Sequence, residues 1–111
     1  MHELAISEAI VSEICERVET GSVIRVVLEI GRLSAVVPDA VRFSFDVAAR
    51  GTRLEGAALE IVEIPGLARC RLCHETVALE DWTAGTCACC GGVVLDVVSG
   101  QELRIKFVEV M

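Results

Sequence analysis

The sequence predicts an α+β fold, in which a small helix-and-sheet domain carries a cysteine-rich insert. Three observations indicate this: helical periodicity near the amino terminus, alternating apolar residues in later segments, and two C-x-x-C pairs between two of those segments. With 111 residues the chain is long enough for one small domain. Because only 4% of the residues are aromatic, the core must be aliphatic.

The first helix is predicted from Glu3 to about Thr20. Its apolar residues recur at i, i+4 spacing and so form one stripe along the helix: Ile6, Ile10, Ile14 and Val18. Gly21 is predicted to end this helix, because glycine readily adopts the positive φ of a helix carboxyl terminus.

Residues 38–50 are predicted as a second helix, although their apolar residues also alternate as in a strand. Pro38 stands at a first-turn position and Gly51 stands just beyond the end. Proline near the start and glycine after the end are typical of a helix, so the helix is favoured.

Alternation of apolar and polar residues predicts three strands, and a short apolar run predicts a fourth between the last two of them. In chain order the four are Val23–Ile30, Ala58–Ile64, Val93–Val98 and Leu103–Val110. In the last strand, Leu103, Ile105 and Phe107 are expected to point inward. The cysteine-rich segment lies between the second and third strands, so these two strands are expected to pair antiparallel at its base.

The two cysteine pairs are separated by thirteen residues and predict a tetrahedral zinc site. The expected ligands are Cys70, Cys73, Cys87 and Cys90. Cys89 is an additional thiol in the second pair, but C-x-x-C spacing favours Cys90. Glycines after Cys90 suit a turn with positive φ, and His74 holds the equivalent place after Cys73.

Three other interpretations of the cysteines are weaker. Disulfides are disfavoured because no export signal is recognisable, and a thioredoxin-type redox pair would need a strand–helix pattern that neither pair has. Residues 70–74 also match the c-type haem attachment motif. Haem attachment would normally require export and would leave the second pair without a role.

The formal net charge of −7 disfavours nucleic acid as a partner, because phosphate contacts need Lys and Arg, and the ten basic residues form no run. No segment approaches the roughly 20 apolar residues of a membrane span. The sequence therefore predicts a cytoplasmic protein with reduced thiols, no membrane contact, and a protein or metal partner.

A second metal site is predicted at the amino terminus. A histidine near a chain end is usually only solvated, but the Met1 amine, the His2 backbone nitrogen and the His2 imidazole can form two fused chelate rings. All-nitrogen sets of this kind suit Ni(II) and Cu(II). The amine must lose its proton to bind, so the affinity should rise with pH.

The chain resembles the HypA/HybF family of nickel-incorporation accessory proteins. The resemblance extends over nearly the whole chain and is carried by ordered motifs: Met1-His2-Glu3-Leu4, Glu29-Ile30-Gly31-x-Leu33-Ser34, Phe43-Ser44-Phe45-Asp46, Arg50-Gly51-Thr52, the paired cysteines, and Glu102-Leu103-Arg104-Ile105. Two features depart from the usual family pattern: Ala88 stands where the second cysteine pair normally has proline, and Cys89 adds a thiol.

The resemblance implies a nickel-binding domain, with a small three-stranded sheet and two helices, over residues 1–66 and 93–111. It implies an inserted four-cysteine, zinc-ribbon-like domain over residues 67–92, with structural Zn(II) on the four cysteines. It further implies that the His2 imidazole binds Ni(II) transiently together with backbone nitrogens of Met1 and Glu3.

The function that the resemblance implies is nickel delivery for the maturation of NiFe hydrogenase, without enzymatic activity. The implied partners are a HypB-type GTPase, the hydrogenase large subunit and, in some members, urease maturation proteins. The chain is expected to be a monomer or a homodimer. Two alternatives stay open: a zinc-ribbon adaptor that never carries nickel, and a dithiol redox protein that uses Cys87, Cys89 or Cys90.

Overall fold

The computed structural model describes residues 2–81, 85–93 and 95–111. In chain order the elements are α1 (Glu3–Arg17), β1 (Val23–Gly31), α2 (Pro38–Ala49), β2 (Ala58–Ile64), β3 (Leu67–Cys70), β4 (Thr76–Ala78), β5 (Leu95–Ser99) and β6 (Leu103–Val110). The predicted α+β class is confirmed. None of the helices in this part of the chain is long and apolar enough to cross a membrane.

The chain forms two compact units. The first comprises Met1–Glu29, Val36–Val62 and Arg104–Met111, and the second comprises Ile30–Ala35 and Glu63–Leu103. The second unit contains all four predicted zinc ligands. Besides residues 67–92 it includes the end of β1 with the loop that follows, and strand β5.

Both predicted helices are confirmed, and they pack against each other. The first helix ends at Arg17, three residues before its predicted end, and Gly21 lies in the following loop with a φ of 86°. Helix α2 begins at Pro38, as its first-turn proline predicts, and buries Val41 and Phe45. The buried residues of this segment thus follow the helical period, and the choice of helix over strand for residues 38–50 is confirmed.

The first sheet has the strand order β2-β1-β6. Its central strand β1 buries Val26, Val27 and Leu28 in succession, so its core residues lie on both faces. The prediction that Leu103 and Phe107 point inward is wrong, because they are 40% and 43% exposed. Both residues lie on the edge strand β6. The Arg25 guanidinium carbon lies over the Phe107 ring, 5.0 Å from the centre of that ring.

The prediction that β2 and the strand after the cysteines pair with each other is also wrong. Strand β5 belongs to a second antiparallel sheet of order β4-β3-β5, whereas β2 belongs to the first. Strand β3 starts directly after Pro65-Gly66, and its Ala68 pairs with Val97 and is fully buried. Strand β5, which follows the cysteines in the chain, is therefore part of the same sheet as β3 and β4 in the second unit.

Leu33 is enclosed within the second unit by three glycines at which backbones approach closely. A Cβ on Gly31 would collide with the Gly100 backbone, and one on Gly66 would collide with the Leu79 carbonyl. The Leu33 amide donates to the Gly100 carbonyl at 2.7 Å, and its side chain packs in a cluster with Ala68 and Leu79. Glycine at these places lets the chain segments reach that cluster.

Candidate metal centre

The four predicted zinc ligands come together at one point of the cysteine unit. Their sulfur atoms all lie within 4.8 Å of one another, and two pairs, Cys70 with Cys90 and Cys73 with Cys87, lie at 3.6 Å. A tetrahedron with Zn–S distances of about 2.3 Å has sulfurs about 3.8 Å apart. The observed spacing therefore fits a tetrahedral zinc ion, and all four cysteines are free.

The first pair lies in a tight turn that begins at the end of β3. The Cys70 amide donates to the Glu75 carbonyl at 2.9 Å, and the His74 amide donates to the Cys70 carbonyl at 2.9 Å. His74 has a φ of 65°, the only positive value among the described residues other than glycine. Such a conformation folds the chain back after the second cysteine.

The second pair repeats this turn. The Cys87 amide donates to the Gly92 carbonyl at 2.7 Å, and the Gly91 amide donates to the Cys87 carbonyl at 2.8 Å. These bonds have the same residue separations as those of the first turn, and Gly91 has a φ of 75° where His74 has 65°. The two turns are thus structurally equivalent.

This equivalence separates Cys90 from the additional thiol. Cys73 corresponds to Cys90, whereas Cys89 corresponds to the exposed Leu72. Cys89 lies outside the four-sulfur cluster, but its backbone amide points at the Cys87 sulfur at 3.4 Å. Cys89 therefore contributes a backbone donor to the centre.

Backbone amides lower the proton affinity of one sulfur in each turn. The Cys90 amide, followed by the Cys89 amide, lowers the pKa of Cys87 to about 6. The Cys73 amide likewise lowers the pKa of Cys70. Thiolates are the forms that bind zinc, so these donors favour the metal-binding state.

The other two sulfurs have raised pKa values. The Glu75 amide lowers the pKa of Cys73, but burial and the neighbouring thiols, led by Cys87, outweigh it and raise the value to about 12. The pKa of Cys90 is raised because its bond to Cys70 and its burial outweigh the Gly92 amide. In each close pair, therefore, one sulfur has a lowered pKa and the other a raised one.

Apolar side chains pack against the buried cysteines of the centre. Cys70 and Cys87 are buried with Val77, and Leu95 packs against them. Cys90 is exposed and Cys73 is partly buried, so the centre lies at the edge of this cluster. Four sulfur ligands leave no coordination position for a substrate, which is typical of a structural site.

An ion pair that the sequence pattern did not indicate connects the first turn to β5. The Arg71 guanidinium donates to both Asp96 carboxylate oxygens, at 2.9 and 2.8 Å, and this bond lowers the pKa of Asp96. Its formation depends on the register of β3 and β5, in which Arg69 lies opposite Asp96. This register could not be predicted from the spacing of residues within either segment, because it joins residues that are far apart in the chain.

The predicted nickel site lies at the start of α1. His2 is exposed at the N-cap position, and its side chain makes no capping hydrogen bond to the helix. Its carbonyl accepts a bond from the Ile6 amide at 3.1 Å, and Glu3 is the first helical residue. Met1, the third member of the predicted chelate, lies outside the described residues.

Comparison with known proteins shows similarity along the full chain. Residues 1–110 match the family described as hydrogenase/urease nickel incorporation, metallochaperone, HypA. The hydrogenase maturation factor HypA of Nostoc sp. is 54% identical over 110 residues, which cover 99% of this chain and 96% of that protein. The corresponding factor of Geotalea uraniireducens is 47% identical over 111 residues and 99% of each chain.

A solved structure supports the fold. The solution structure of the nickel metallochaperone HypA from Helicobacter pylori aligns with a TM-score of 0.65 over 100% of this chain and 98% of that one. The two sequences are 23% identical, so this likeness concerns the fold alone.

Proposed function

Because this chain belongs to the HypA family of nickel metallochaperones for hydrogenase maturation, which are not enzymes, we propose that it carries Ni(II) on its first residues. The proposed ligands are the His2 imidazole and the backbone nitrogens of Met1 and Glu3. Nickel is the cargo here and is passed on to a hydrogenase precursor.

The position of His2 supports this ligand set. The first amides of an α-helix have no acceptor within the helix, so metal binding at the Glu3 amide would break no helical hydrogen bond. The His2 side chain is exposed and makes no capping bond, so its imidazole is accessible to a metal ion. An exposed site suits transfer of the ion better than storage.

We propose that Cys70, Cys73, Cys87 and Cys90 hold a structural Zn(II). Their sulfur spacing, the amide donors and the apolar support fit this ion. The proposed division of the chain is a nickel-binding domain over residues 1–66 and 93–111 and a zinc-binding domain over residues 67–92.

The proposed setting is the cytoplasm, and the proposed partners are a HypB-type GTPase and the hydrogenase large subunit, with urease maturation proteins as further recipients. The family description, which names hydrogenase and urease nickel incorporation, supports partners of this kind. The net charge of −7 supports a protein rather than a nucleic acid as partner.

The test is calorimetric titration of Ni(II) into zinc-loaded, untagged protein with its native amino terminus. We expect about one site per chain, and we expect His2→Ala to abolish it while zinc content and circular dichroism stay unchanged. His74→Asn is the matched control, because it removes the other histidine and asparagine also tolerates positive φ. Nickel binding that is indifferent to His2 would support the zinc-ribbon adaptor instead.

A further inference from the structure

The four sulfurs of the cysteine cluster belong to residues that differ in their access to solvent. Cys70 and Cys87 are buried and Cys73 is partly buried, whereas Cys90 is the exposed member of the four. Oxidation of cysteine follows thiolate character and exposure. A dissolved oxidant therefore meets Cys90 before the other three.

The backbone amides add to this difference. The Cys87 sulfur accepts hydrogen bonds from two amides, those of Cys89 and Cys90. The Cys90 sulfur accepts one, from the Gly92 amide at 3.4 Å. A hydrogen bond withdraws charge from a thiolate, and nucleophilicity falls as basicity falls. Cys90 is therefore a stronger nucleophile than Cys87 as well as a more accessible one.

Cys70 is positioned to react with an oxidised Cys90. Their sulfur atoms lie 3.6 Å apart, so a small approach of the two side chains brings them to the roughly 2 Å of a disulfide. The other close pair, Cys73 with Cys87, contains no exposed residue. Oxidation that starts at the exposed cysteine therefore leads to a bond between Cys90 and Cys70.

The side chain of Leu72 lies beside this pair. A Cβ placed on Gly92 would be 2.7 Å from a methyl carbon of Leu72. The same point is 3.2 Å from the Cys90 sulfur and 3.4 Å from the Cys70 sulfur. The methyl group thus converges with both sulfurs on one small space. Because Leu72 is 65% exposed, it screens this space from solvent on one side.

We propose that Cys90 and Cys70 form a peroxide-reactive pair, which a hydroperoxide converts to a disulfide with release of the structural zinc. This inference rests on the zinc assignment proposed above. It makes the cysteine unit the oxidation-sensitive part of the chaperone.

The reaction has two steps. The Cys90 thiolate attacks one peroxide oxygen, the O–O bond breaks, and Cys90 becomes a sulfenic acid as hydroxide leaves. The Cys70 thiolate then attacks the Cys90 sulfur, the S–O bond breaks, and a second hydroxide leaves as the disulfide forms. The two thiolates are oxidised by two electrons, and the peroxide is reduced by two. Only two of the four sulfur ligands remain, too few for a tetrahedral sulfur site.

The test is addition of hydrogen peroxide to the zinc-loaded full chain, with a chelating dye that records zinc release. We expect about one ion per chain to leave, with a Cys70–Cys90 disulfide as the first product. Arg69 and Arg71 flank Cys70, so trypsin separates it from the other cysteines and mass spectrometry detects its bridge to the 72–104 peptide. A thiol reductant with added zinc should restore the site.

Leu72→Ala tests the geometry without removing a ligand. Removal of the screening methyl group should speed the peroxide-dependent release of zinc at least about threefold, because access limits the reaction. Transfer of zinc to the dye without peroxide should stay unchanged, whereas a merely loosened site would speed both. Leu103→Ala, at another exposed leucine, is the matched control and should change neither rate.

Two further variants separate this proposal from its alternatives. Cys89→Ser should release zinc at the wild-type rate, since Cys89 lies outside the four-sulfur cluster. His2→Ala should do the same, so the result is independent of the nickel proposal. A purified chain without zinc would refute the zinc assignment and this inference together. A zinc-loaded chain that keeps its ion in peroxide, or whose first disulfide lacks Cys90, would overturn this inference alone.

Discussion

His74 occupies in the first cysteine turn the position that Gly91 occupies in the second. Both have positive φ, 65° and 75°, and both donate a backbone hydrogen bond to the carbonyl of the first cysteine in their turn. The turn geometry therefore requires a left-handed residue at each place, and a histidine meets this requirement at some conformational cost. The backbone conformation of the turn is therefore enough to account for a residue such as His74 after Cys73, without a role for its imidazole in metal binding.

His74→Gly should stabilise the zinc-loaded protein by up to about 1 kcal/mol, because glycine adopts positive φ without strain. Gly91→Ala should destabilise it by about 1 kcal/mol for the opposite reason. Thermal denaturation with zinc in excess measures both changes. Gly85→Ala is the control, since Gly85 has no positive φ and a Cβ there meets nothing within 4 Å. A loss of stability in His74→Gly would indicate a contact of the imidazole that matters more than the backbone.

Cys90→Ser should reduce the zinc content of the purified protein to well below one ion per chain, because it removes a sulfur of the cluster. Cys89→Ser should keep one zinc, since Cys89 contributes only its backbone amide. A colorimetric chelator assay after thiol modification quantifies the ion released. Equal zinc loss in both variants would contradict the equivalence of Cys73 and Cys90.

Removal of zinc should unfold the cysteine region while the helix-and-sheet region persists. Because metal binding contributes folding free energy at such sites, a strong chelator should abolish hydrogen-exchange protection around Cys70 and Val77. The amides of Val26 and Leu28, in the centre of β1, should stay protected. Mass spectrometry of exchanged peptides resolves the two regions. Simultaneous loss of protection throughout the chain would contradict the proposed separate zinc domain over residues 67–92.

Leu33→Ala should destabilise the protein by about 2–5 kcal/mol, because it leaves a cavity in the cluster with Ala68 and Leu79. Leu72→Ala is the matched control: the same substitution at a side chain that is 65% exposed should cost less than about 0.5 kcal/mol. Denaturant unfolding of the zinc-loaded proteins gives both values. Similar costs at the two positions would show that Leu33 does not anchor this cluster.

Ser7→Ala should raise the free energy of unfolding by about 1 kcal/mol or more. The Ser7 hydroxyl is fully buried in α1 and has no hydrogen-bond partner among the described residues, and an unsatisfied buried hydroxyl is costly. Ser12→Ala on the exposed side of the same helix measures the gain in helix propensity alone, about 0.5 kcal/mol. A smaller gain at Ser7 than at Ser12 would point to a partner for the hydroxyl in solution.

Features that depend on neighbours along the chain were predictable. The boundaries of α2 follow from Pro38 and Gly51, and its burial follows from the 3.6-residue period. The cysteine spacing similarly predicted which sulfurs would meet, because a C-x-x-C turn is a local structure that brings its two sulfurs to one side. Local geometry restricts such segments before any long-range contact forms.

Features that depend on strand register and sheet position were decided only by the tertiary structure. Strands β3 and β4 have four and three residues, too few for a recognisable period, and β5 pairs with β3 rather than with the first sheet. Phe107 alternates as a core residue does, yet it is 43% exposed, because its ring lies against the partly exposed Arg25 side chain of β1 rather than in the core. Alternation identifies the two faces of a strand, but only the neighbouring strands and helices determine which face is buried.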